Sequence, residues 1–166
     1  MAADGHSGTL QVVVVSPARQ LFEGEARFVT APAWDRVGGD GGGLYGAPQP
    51  GKLVVGQLGI LPRHAPLVAA LGSGILRIGE EGGQVARFAV RGGFLKVGDD
   101  KVTVLVDHAV AEGDVDVAEA QEELDETLAA LRHPRSEEKF AELLDLRAWS
   151  EARLKLAGAE IRTKGH

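Results

Sequence analysis

His64 is the residue of this sequence best placed for proton transfer or metal binding, since histidine titrates near neutral pH. It lies between two prolines, Pro62 and Pro66, which remove backbone donors and favour a kinked corner between two strands. No serine or acid completes a recognisable catalytic constellation beside it, and no metal-ligand spacing links the other histidines, which are His6, His108, His133 and His166. We therefore expect His64 to be a packed corner or interface residue, and we assign no catalytic, metal-binding or cofactor-binding residue.

A glycine-rich stretch, Gly38–Gly43, precedes the pair Gly51-Lys52, and glycine followed by lysine is one part of a phosphate-binding loop. The next residue is Leu53, where such a loop needs serine or threonine, and no helix is predicted to begin there. Glycine loses much backbone entropy on ordering, and the stretch offers few apolar side chains in return. The sequence therefore predicts a long surface loop between Ala31 and Val55, with three candidate anchors: Trp34, Leu44 and Tyr45.

The composition excludes some chemistry and some partners. The 166 residues contain no cysteine, so thiol nucleophiles, disulfides and cysteine metal sites are absent. A formal net charge of −6 opposes an extended nucleic-acid interface, which needs a basic surface to neutralise phosphates. The apolar run Val12 to Val15 is far too short to span a membrane, and Met1–Gly8 lacks the features of a signal or transit peptide. We expect a soluble, cytoplasmic bacterial protein.

Short runs of β-branched and apolar residues separated by glycines make up the first two thirds of the chain. Gly24, Gly92-Gly93 and Gly98–Asp100 are expected to turn the chain, and the valines of the first run suggest burial on both faces. Such a pattern predicts a β-sandwich or barrel. The expected strands include Thr9–Ser16, Gln20–Glu23, Ala26–Thr30, Gly74–Ile78, Val85–Val90, Phe94–Val97 and Lys101–Val106.

From Asp114 onward the apolar residues recur at three- and four-residue spacings, which predicts helices. Asp116 is expected to cap the first helix, His133-Pro134 to end it, and Ser136 to cap a second, antiparallel helix whose last turns Gly158 weakens. The apolar positions expected to pack are Val117, Ala120, Leu124, Leu128 and Leu131 in the first helix, and Phe140, Leu143, Leu144, Leu154, Ala157 and Ile161 in the second.

Charge separates the two predicted helices. Residues 114–131 hold seven acids and no lysine or arginine, whereas residues 147–166 hold five basic residues against two acids. Exposed pairs contribute roughly 0–1 kcal/mol each, so we expect solvated faces with weak pairing across the hairpin. Weak pairing would also let the basic residues move to a stronger acidic surface, which makes the hairpin a candidate two-state element. These basic residues are Arg147, Arg153, Lys155, Arg162 and Lys164.

The stretch Gly56–Leu71 contains the pattern G-x-L-G-I-x-P-x-H-A-P-L, which resembles the hallmark of the epsilon subunit of F-type ATP synthase, the delta subunit in mitochondria. The context is similar too: a valine-rich strand ends in Val15-Ser16-Pro17 upstream, and Gly92-Gly93-Phe94-Leu95 follows downstream. Family members reach the motif after a short turn. The resemblance therefore covers nearly the whole chain except an insert of about residues 36–55.

The resemblance implies an α+β fold in sequence order: a flattened β-sandwich or barrel of about ten short strands over residues 1–112, then an antiparallel helical hairpin over residues 113–166. It implies a non-catalytic subunit of the rotating central stalk of a proton-translocating enzyme, peripheral to the cytoplasmic face of the bacterial inner membrane. The sandwich would bind the gamma subunit and the c-ring, and the hairpin would brake ATP hydrolysis by reaching the alpha/beta catalytic head. The docking residues would be Gly56, Leu58, Gly59, Ile60, Pro62, His64, Ala65, Pro66 and Leu67.

Some members of that family bind ATP through a pattern resembling Ile/Leu-Asp-x-x-Arg-Ala at the start of the first helix. The corresponding stretch here is Val115–Ala120, in which Glu119 occupies the arginine position. A carboxylate at that position opposes nucleotide binding through like-charge repulsion. We therefore expect ATP binding to be weak or absent and assign no cofactor.

Two other classes of function stay open on the sequence. One is a β-sandwich binding module unrelated to ATP synthase, a hypothesis that rests on fold class alone. The other is a small hydrolase or metal enzyme built on His64, which requires metal in the purified protein or turnover that His64→Ala abolishes. Stable association with a rotary ATPase distinguishes the family hypothesis from both.

Overall fold

A computed structural model describes residues 8–36 and 53–161 of the protein. In these ranges seven β-strands are followed by a 3₁₀ turn at Glu112–Asp114 and two α-helices. The strands are β1 (Leu10–Val15), β2 (Gln20–Arg36), β3 (Leu53–Ile60), β4 (Leu67–Ala70), β5 (Ser73–Glu80), β6 (Val85–Gly98) and β7 (Lys101–Ala111). The helices are α1 (Val117–Leu131) and α2 (Glu137–Leu156). A sandwich-like sheet followed by two helices confirms the predicted fold class.

The strands are fewer and longer than expected, because two predicted glycine turns are absent. Gly24 lies opposite Val12 inside β2, which runs without a break from Gln20 to Arg36. β6 likewise continues through Gly92-Gly93, whose φ angles are 74° and 120°. There the strand changes partner from β5 to β4. The turn predictions at these two sites were wrong because glycine can bend a strand between two partners as well as end it.

The two long strands, β2 and β6, build both layers of the sandwich. β2 pairs with β1 along its first part and with β5 and β3 along its second. The sheet therefore folds over on itself and encloses one apolar core, to which residues from all seven strands contribute. In β1 the burial alternates: Val12 and Val14 lie in the core, whereas Val13 and Val15 are half-buried. The expectation of burial on both faces of β1 was wrong.

Strands β2 and β3 extend into the segment predicted to be a loop. They pair antiparallel from Val29 opposite Ile60 to Arg36 opposite Leu53. The loop prediction was therefore wrong for residues 31–36 and 53–55, where strand pairing outweighs the proline and glycine signals. Of the candidate anchors, Trp34 lies in β2; Leu44 and Tyr45, like most of the predicted insert, lie outside the described residues.

Side-chain caps begin both helices as predicted. Asp116 Oδ1 accepts a hydrogen bond from the Glu119 backbone N–H at 3.0 Å. Ser136 Oγ accepts one from the Lys139 backbone N–H, also at 3.0 Å. Each oxygen satisfies a backbone donor that has no partner within its helix. The short segment between the helices brings them together as the predicted hairpin.

The second helix ends in a Schellman arrangement centred on Gly158. The Ala159 N–H donates to the Leu154 carbonyl at 3.0 Å, and the Gly158 N–H donates to the Lys155 carbonyl at 3.0 Å. Gly158 adopts the left-handed φ of 71° that this arrangement requires. Gly158 therefore ends α2 after Leu156, which corrects the expectation that it weakens a longer helix.

The packed face of the hairpin is narrower than the apolar spacing predicted. Ala120 and Leu124 of α1 pack with Leu154 of α2 in a buried cluster. Four positions predicted to pack are exposed instead, namely Val117, Phe140, Leu144 and Ala157. Helical spacing places residues on one stripe but does not say how wide the covered stripe is.

Candidate functional site

The segment Leu61–Pro66, here called the corner, joins β3 to β4 and contains the histidine of the sequence motif. Arg63 adopts a left-handed φ of 68°, and its N–H donates to Asp100 Oδ1 at 2.5 Å. The His64 N–H donates to the Leu61 carbonyl at 3.2 Å, and His64 Nδ1 lies 2.7 Å from the Ala65 carbonyl oxygen. The corner is therefore a fixed, hydrogen-bonded turn.

Asp100 connects the corner to two further parts of the sandwich. It lies in the turn between β6 and β7, where Asp99 and Asp100 have φ angles of 52° and 57°. Its carbonyl accepts from the Gln11 N–H of β1 at 2.8 Å, while its side chain holds Arg63. One residue thus ties together the corner, the β6–β7 turn and the start of β1. The sequence predicted the turn but not this contact, because the partners are far apart in the chain.

The predicted docking residues divide into core and surface positions. Ile60 and Leu67 belong to the core cluster, and Leu58 packs against it. Their side chains hold the sandwich together, so in this conformation Ile60 and Leu67 do not present a surface to a partner. The positions that reach the surface at least in part are Gly56, Leu58, Gly59, Pro62, His64, Ala65 and Pro66.

An exposed apolar row crosses three strands beside the corner. Ala70 of β4 lies opposite Phe94 of β6, which in turn lies opposite Leu105 of β7. Phe94 and Leu105 are 60% and 51% exposed, and Val68 on the same face of β4 is 51% exposed. We call Val68, Ala70, Phe94 and Leu105 the docking face. The sequence analysis did not single it out, although the alternation of buried and exposed residues in Phe94–Val97 carries the signal.

Basic side chains border the docking face. Lys96 lies opposite Val68 on one side and opposite Thr103 on the other, so it projects from the same face. Lys96, Lys101 and Thr103 line an open groove of about 430 Å³ at the end of the sheet. Asp99 lines the same groove, so the face offers apolar contact next to two lysines and one carboxylate.

The basic residues of the hairpin differ in their accessibility. Arg147 is exposed and pairs with Glu151 on the same helix, its Nε lying 2.9 Å from Oε1. Lys155 is exposed near the end of α2. Arg162 and Lys164 lie outside the described residues.

Arg153 is buried, which corrects the expectation of a solvated basic face at this position. Its side chain is 7% exposed and pairs with Glu123 of α1, which is 40% exposed. The guanidinium also lies over the Trp149 ring, 4.8 Å from the centroid. Its Nε has no hydrogen-bond partner among the described residues. Arg153 therefore joins the two helices and is not free to bind another surface while the hairpin is packed.

Helix α2 rests on β5 and β6 through a polar cluster that the sequence analysis missed. Asp145 accepts from Ser73 Oγ at 2.6 Å and from Arg91 Nε at 3.0 Å. Beside it, Trp149, Ala152 and Leu156 of α2 form an apolar cluster with Ala89 of β6. Neither contact had a local sequence signal, because each joins residues far apart in the chain.

Within the described ranges, no group of three or more histidine or acidic side chains is arranged to hold a metal ion. Neither described helix is long and apolar enough to cross a bilayer. These features define the class of fold: a β-sandwich with an exposed apolar face, followed by a docked helical hairpin.

Comparisons with known proteins identify the family. Residues 52–112 match the family model described as ATP synthase, Delta/Epsilon chain, beta-sandwich domain. The ATP synthase epsilon chain of Halorhodospira halophila is 39% identical over 158 residues, which cover 93% of this chain and 92% of that one. The epsilon chain of Pelotomaculum thermopropionicum is 36% identical over 133 residues, covering 80% and 77%. The chain belongs to the ATP synthase epsilon chain family, whose members are non-catalytic subunits.

A solved structure supports the fold. The protein is similar to a chain in the cryo-EM structure of Euglena gracilis mitochondrial ATP synthase, OSCP/F1/c-ring in rotational state 1. The TM-score is 0.66 at 21% identity, over 93% of this chain and 85% of that one. Family membership excludes the two alternatives left open by the sequence, a binding module unrelated to ATP synthase and an enzyme built on His64.

Proposed function

We propose that the chain is the central-stalk subunit that couples the membrane ring of a proton-translocating F-type ATP synthase to its gamma subunit, and that its hairpin regulates ATP hydrolysis. On this proposal it lies at the cytoplasmic face of the bacterial plasma membrane as a peripheral subunit. The observation that carries the proposal is the docking face, since an exposed apolar surface bordered by charge is typical of a protein interface.

We assign the docking face to the gamma subunit. Phe94, Leu105 and Val68 would lose their exposed apolar area on binding, and Lys96 and Lys101 favour a partner surface that places carboxylates beside its apolar residues. Fully covering one large apolar side chain contributes about 1.5–3 kcal/mol. Three such side chains are enough to anchor an interface of moderate size.

We assign the corner to the c-ring. Leu61 is the most exposed large apolar side chain among the described residues, and it stands beside His64 at the end of the sandwich. The hydrogen bond between Arg63 and Asp100 holds this turn in one conformation, so little entropy is lost when it contacts a partner. A rigid corner also suits a part that transmits torque.

We assign the regulatory role to the hairpin, which is packed on the sandwich in this structure. In this docked arrangement Arg153 is engaged by Glu123 and Trp149, so the basic residues of α2 are only partly available. Release of the hairpin would let its exposed basic residues, Arg147 and Lys155, reach the acidic surfaces of the alpha/beta head, while Arg153 stays paired with Glu123. The docked form is thus the form that permits ATP hydrolysis.

Affinity purification of the chain from detergent-solubilised membranes tests the coupling role. Recovery of the catalytic head, gamma and ring is the expected result, and their absence from the purified material would contradict it. A chain carrying Phe94→Ser and Leu105→Ser serves as the comparison, because it alters the docking face and leaves the core unchanged.

Truncation before Asp114 tests the regulatory role in the same complex. We expect ATP hydrolysis to rise when the hairpin is removed, and an unchanged rate would show that the hairpin is structural only. The truncated chain also tests the proposed division into domains 1–112 and 113–166, since a sandwich with its own core should stay folded and bound.

A further inference from the structure

The polar contacts that hold α2 on the sandwich meet at one carboxylate, Asp145. Its Oδ1 accepts from Ser73 Oγ at 2.6 Å, and its Oδ2 accepts from Arg91 Nε at 3.0 Å. Ser73 of β5 and Arg91 of β6 lie directly opposite each other, so their side chains project from the same face of the sheet. The two strands therefore present a pair of donors to a single helix residue.

Nothing else polar joins α2 to the strands among the side chains that the structure describes. The remaining ion pairs lie within α2, between the two helices, or between β6 and the 3₁₀ turn: Lys139–Glu142, Arg147–Glu151, Glu123–Arg153 and Arg87–Glu112. The rest of the contact is a small apolar cluster around Trp149 and Ala89. Since α1 packs mainly on α2, the hairpin is attached through one helix and one polar cluster.

The polar cluster is only partly shielded from solvent. The side chains of Arg91 and Asp145 are 29% and 25% exposed. A charge-assisted hydrogen bond of this kind is stronger than a neutral one, but water and ions can reach it. The screening length falls from about 10 Å at 0.1 M salt to about 3 Å at 1 M. We therefore expect high salt to weaken this contact.

We propose that Asp145, Ser73 and Arg91 form the latch that sets the equilibrium between the docked and the released hairpin. This inference rests on the proposed function, because the latch would control the position of the hairpin that regulates ATP hydrolysis. Glu123 and Arg153 join the two helices without involving the sandwich, so opening the latch releases the hairpin as a unit. An anionic group that binds Arg91 would compete with Asp145 and favour release.

Distance measurements between two spin labels on the full chain test the latch. The chain contains no cysteine, so labels attach only where cysteines are introduced. Gln84→Cys on the β5–β6 turn and Ala130→Cys on α1 are exposed positions outside the cluster. The parent chain should give one narrow distance distribution. Asp145→Ala and Arg91→Gln should each raise the ratio of released to docked hairpin about tenfold, and 1 M salt should shift the parent in the same direction.

Arg87→Gln is the matched control, because Arg87 lies on the same strand and pairs with Glu112 instead of α2. It should leave the distance distribution unchanged. Unchanged distances in both Asp145→Ala and Arg91→Gln would overturn the latch. If these two variants lose helical signal, Ser73→Ala decides, since it removes a donor from the strand side and leaves both helices intact. A longer distance between the labels in this variant supports the latch, and an unchanged distance refutes it.

Measurements on the isolated chain test the latch independently of the regulatory role. The same variants in the assembled ATP synthase then test the regulatory role, with ATP hydrolysis as the readout. Longer distances together with unchanged hydrolysis would refute the regulatory role and leave the latch standing. Unchanged distances together with a rise in hydrolysis on truncation at Asp114 would refute the latch and leave the brake standing.

Discussion

Phe94 of β6 lies directly opposite Leu105 of β7, and both side chains point away from the core, 60% and 51% exposed. Their chain neighbours Leu95 and Val104 are fully buried, and core and surface positions alternate over residues 94–97 and 101–106. The two side chains contact each other across the strands, but more than half of each remains exposed to water. Exposure of this apolar area to water is unfavourable, and burial of the area against another surface would remove that unfavourable exposure.

Phe94→Ser should weaken binding to the gamma subunit without unfolding the chain. Full burial of the ring contributes about 2 kcal/mol, so the dissociation constant should rise about 30-fold. Titration of the variant against purified gamma measures this. Phe140→Ser is the control, since Phe140 is 43% exposed but lies on α2. Equal weakening by both substitutions would refute the assignment of the docking face.

Asp100→Ala should destabilise the corner, whereas Asp100→Asn should not. Alanine removes the acceptor for the Arg63 N–H and fits the φ of 57° poorly, for a combined loss of about 2–3 kcal/mol. Asparagine keeps an oxygen in place and tolerates a left-handed conformation. Urea unfolding measures the loss, and hydrogen exchange at Arg63 locates it. Similar stability of the two variants would show that the hydrogen bond between Arg63 and Asp100 contributes little.

Gly93→Ala should be the most damaging single methyl addition in the sandwich. Gly93 has a φ of 120°, and a Cβ there would collide with the Leu105 carbonyl oxygen. Because that oxygen belongs to the backbone, a strand would have to shift to relieve the collision. We expect the free energy of unfolding to fall by about 3 kcal/mol. Gly82→Ala is the control, since Gly82 has open space around it. Thermal unfolding compares them, and equal melting temperatures would contradict the argument.

The sequence predicted those parts of the fold that have a local signal. Asp116 and Ser136 mark helix starts through their side-chain oxygens, and Gly98–Asp100 marks the turn before β7. The strands β2 and β6 were each predicted as separate pieces, because glycine signals a change of direction without saying whether the chain turns or only bends. Only the pairing partners settle that question.

The candidate site was predicted less well for the same reason. His64 and its prolines were placed at a corner, but the role of Asp100 in fixing that corner depends on a contact across the fold. Arg153 looked like a solvated base, since sequence spacing cannot show that Trp149 and Glu123 enclose it. The hydrogen bonds from Ser73 and Arg91 to Asp145 likewise could not be predicted without the strand register.

Removing Glu123 should destabilise the hairpin more than removing Arg153. Glu123→Ala leaves a buried guanidinium without its partner, which should cost about 3 kcal/mol. Arg153→Met leaves Glu123 able to reach solvent and keeps apolar contact with Trp149, so about 1 kcal/mol or less is expected. Helical circular dichroism during urea unfolding measures both. A larger loss for Arg153→Met would show that the guanidinium stabilises through its own packing instead.

The isolated chain should not bind ATP in a saturable manner. The Asp116 carboxylate is occupied in capping α1, where it accepts from the Glu119 N–H at 3.0 Å. The Glu119 side chain adds an exposed negative charge in the first turn of α1, so a triphosphate meets repulsion at the start of the helix. Calorimetric titration with magnesium ATP should give only heat of dilution. Glu119→Gln tests the cause: heat that appears with this variant alone would identify the carboxylate as the barrier, and saturable binding to the parent chain would contradict the prediction.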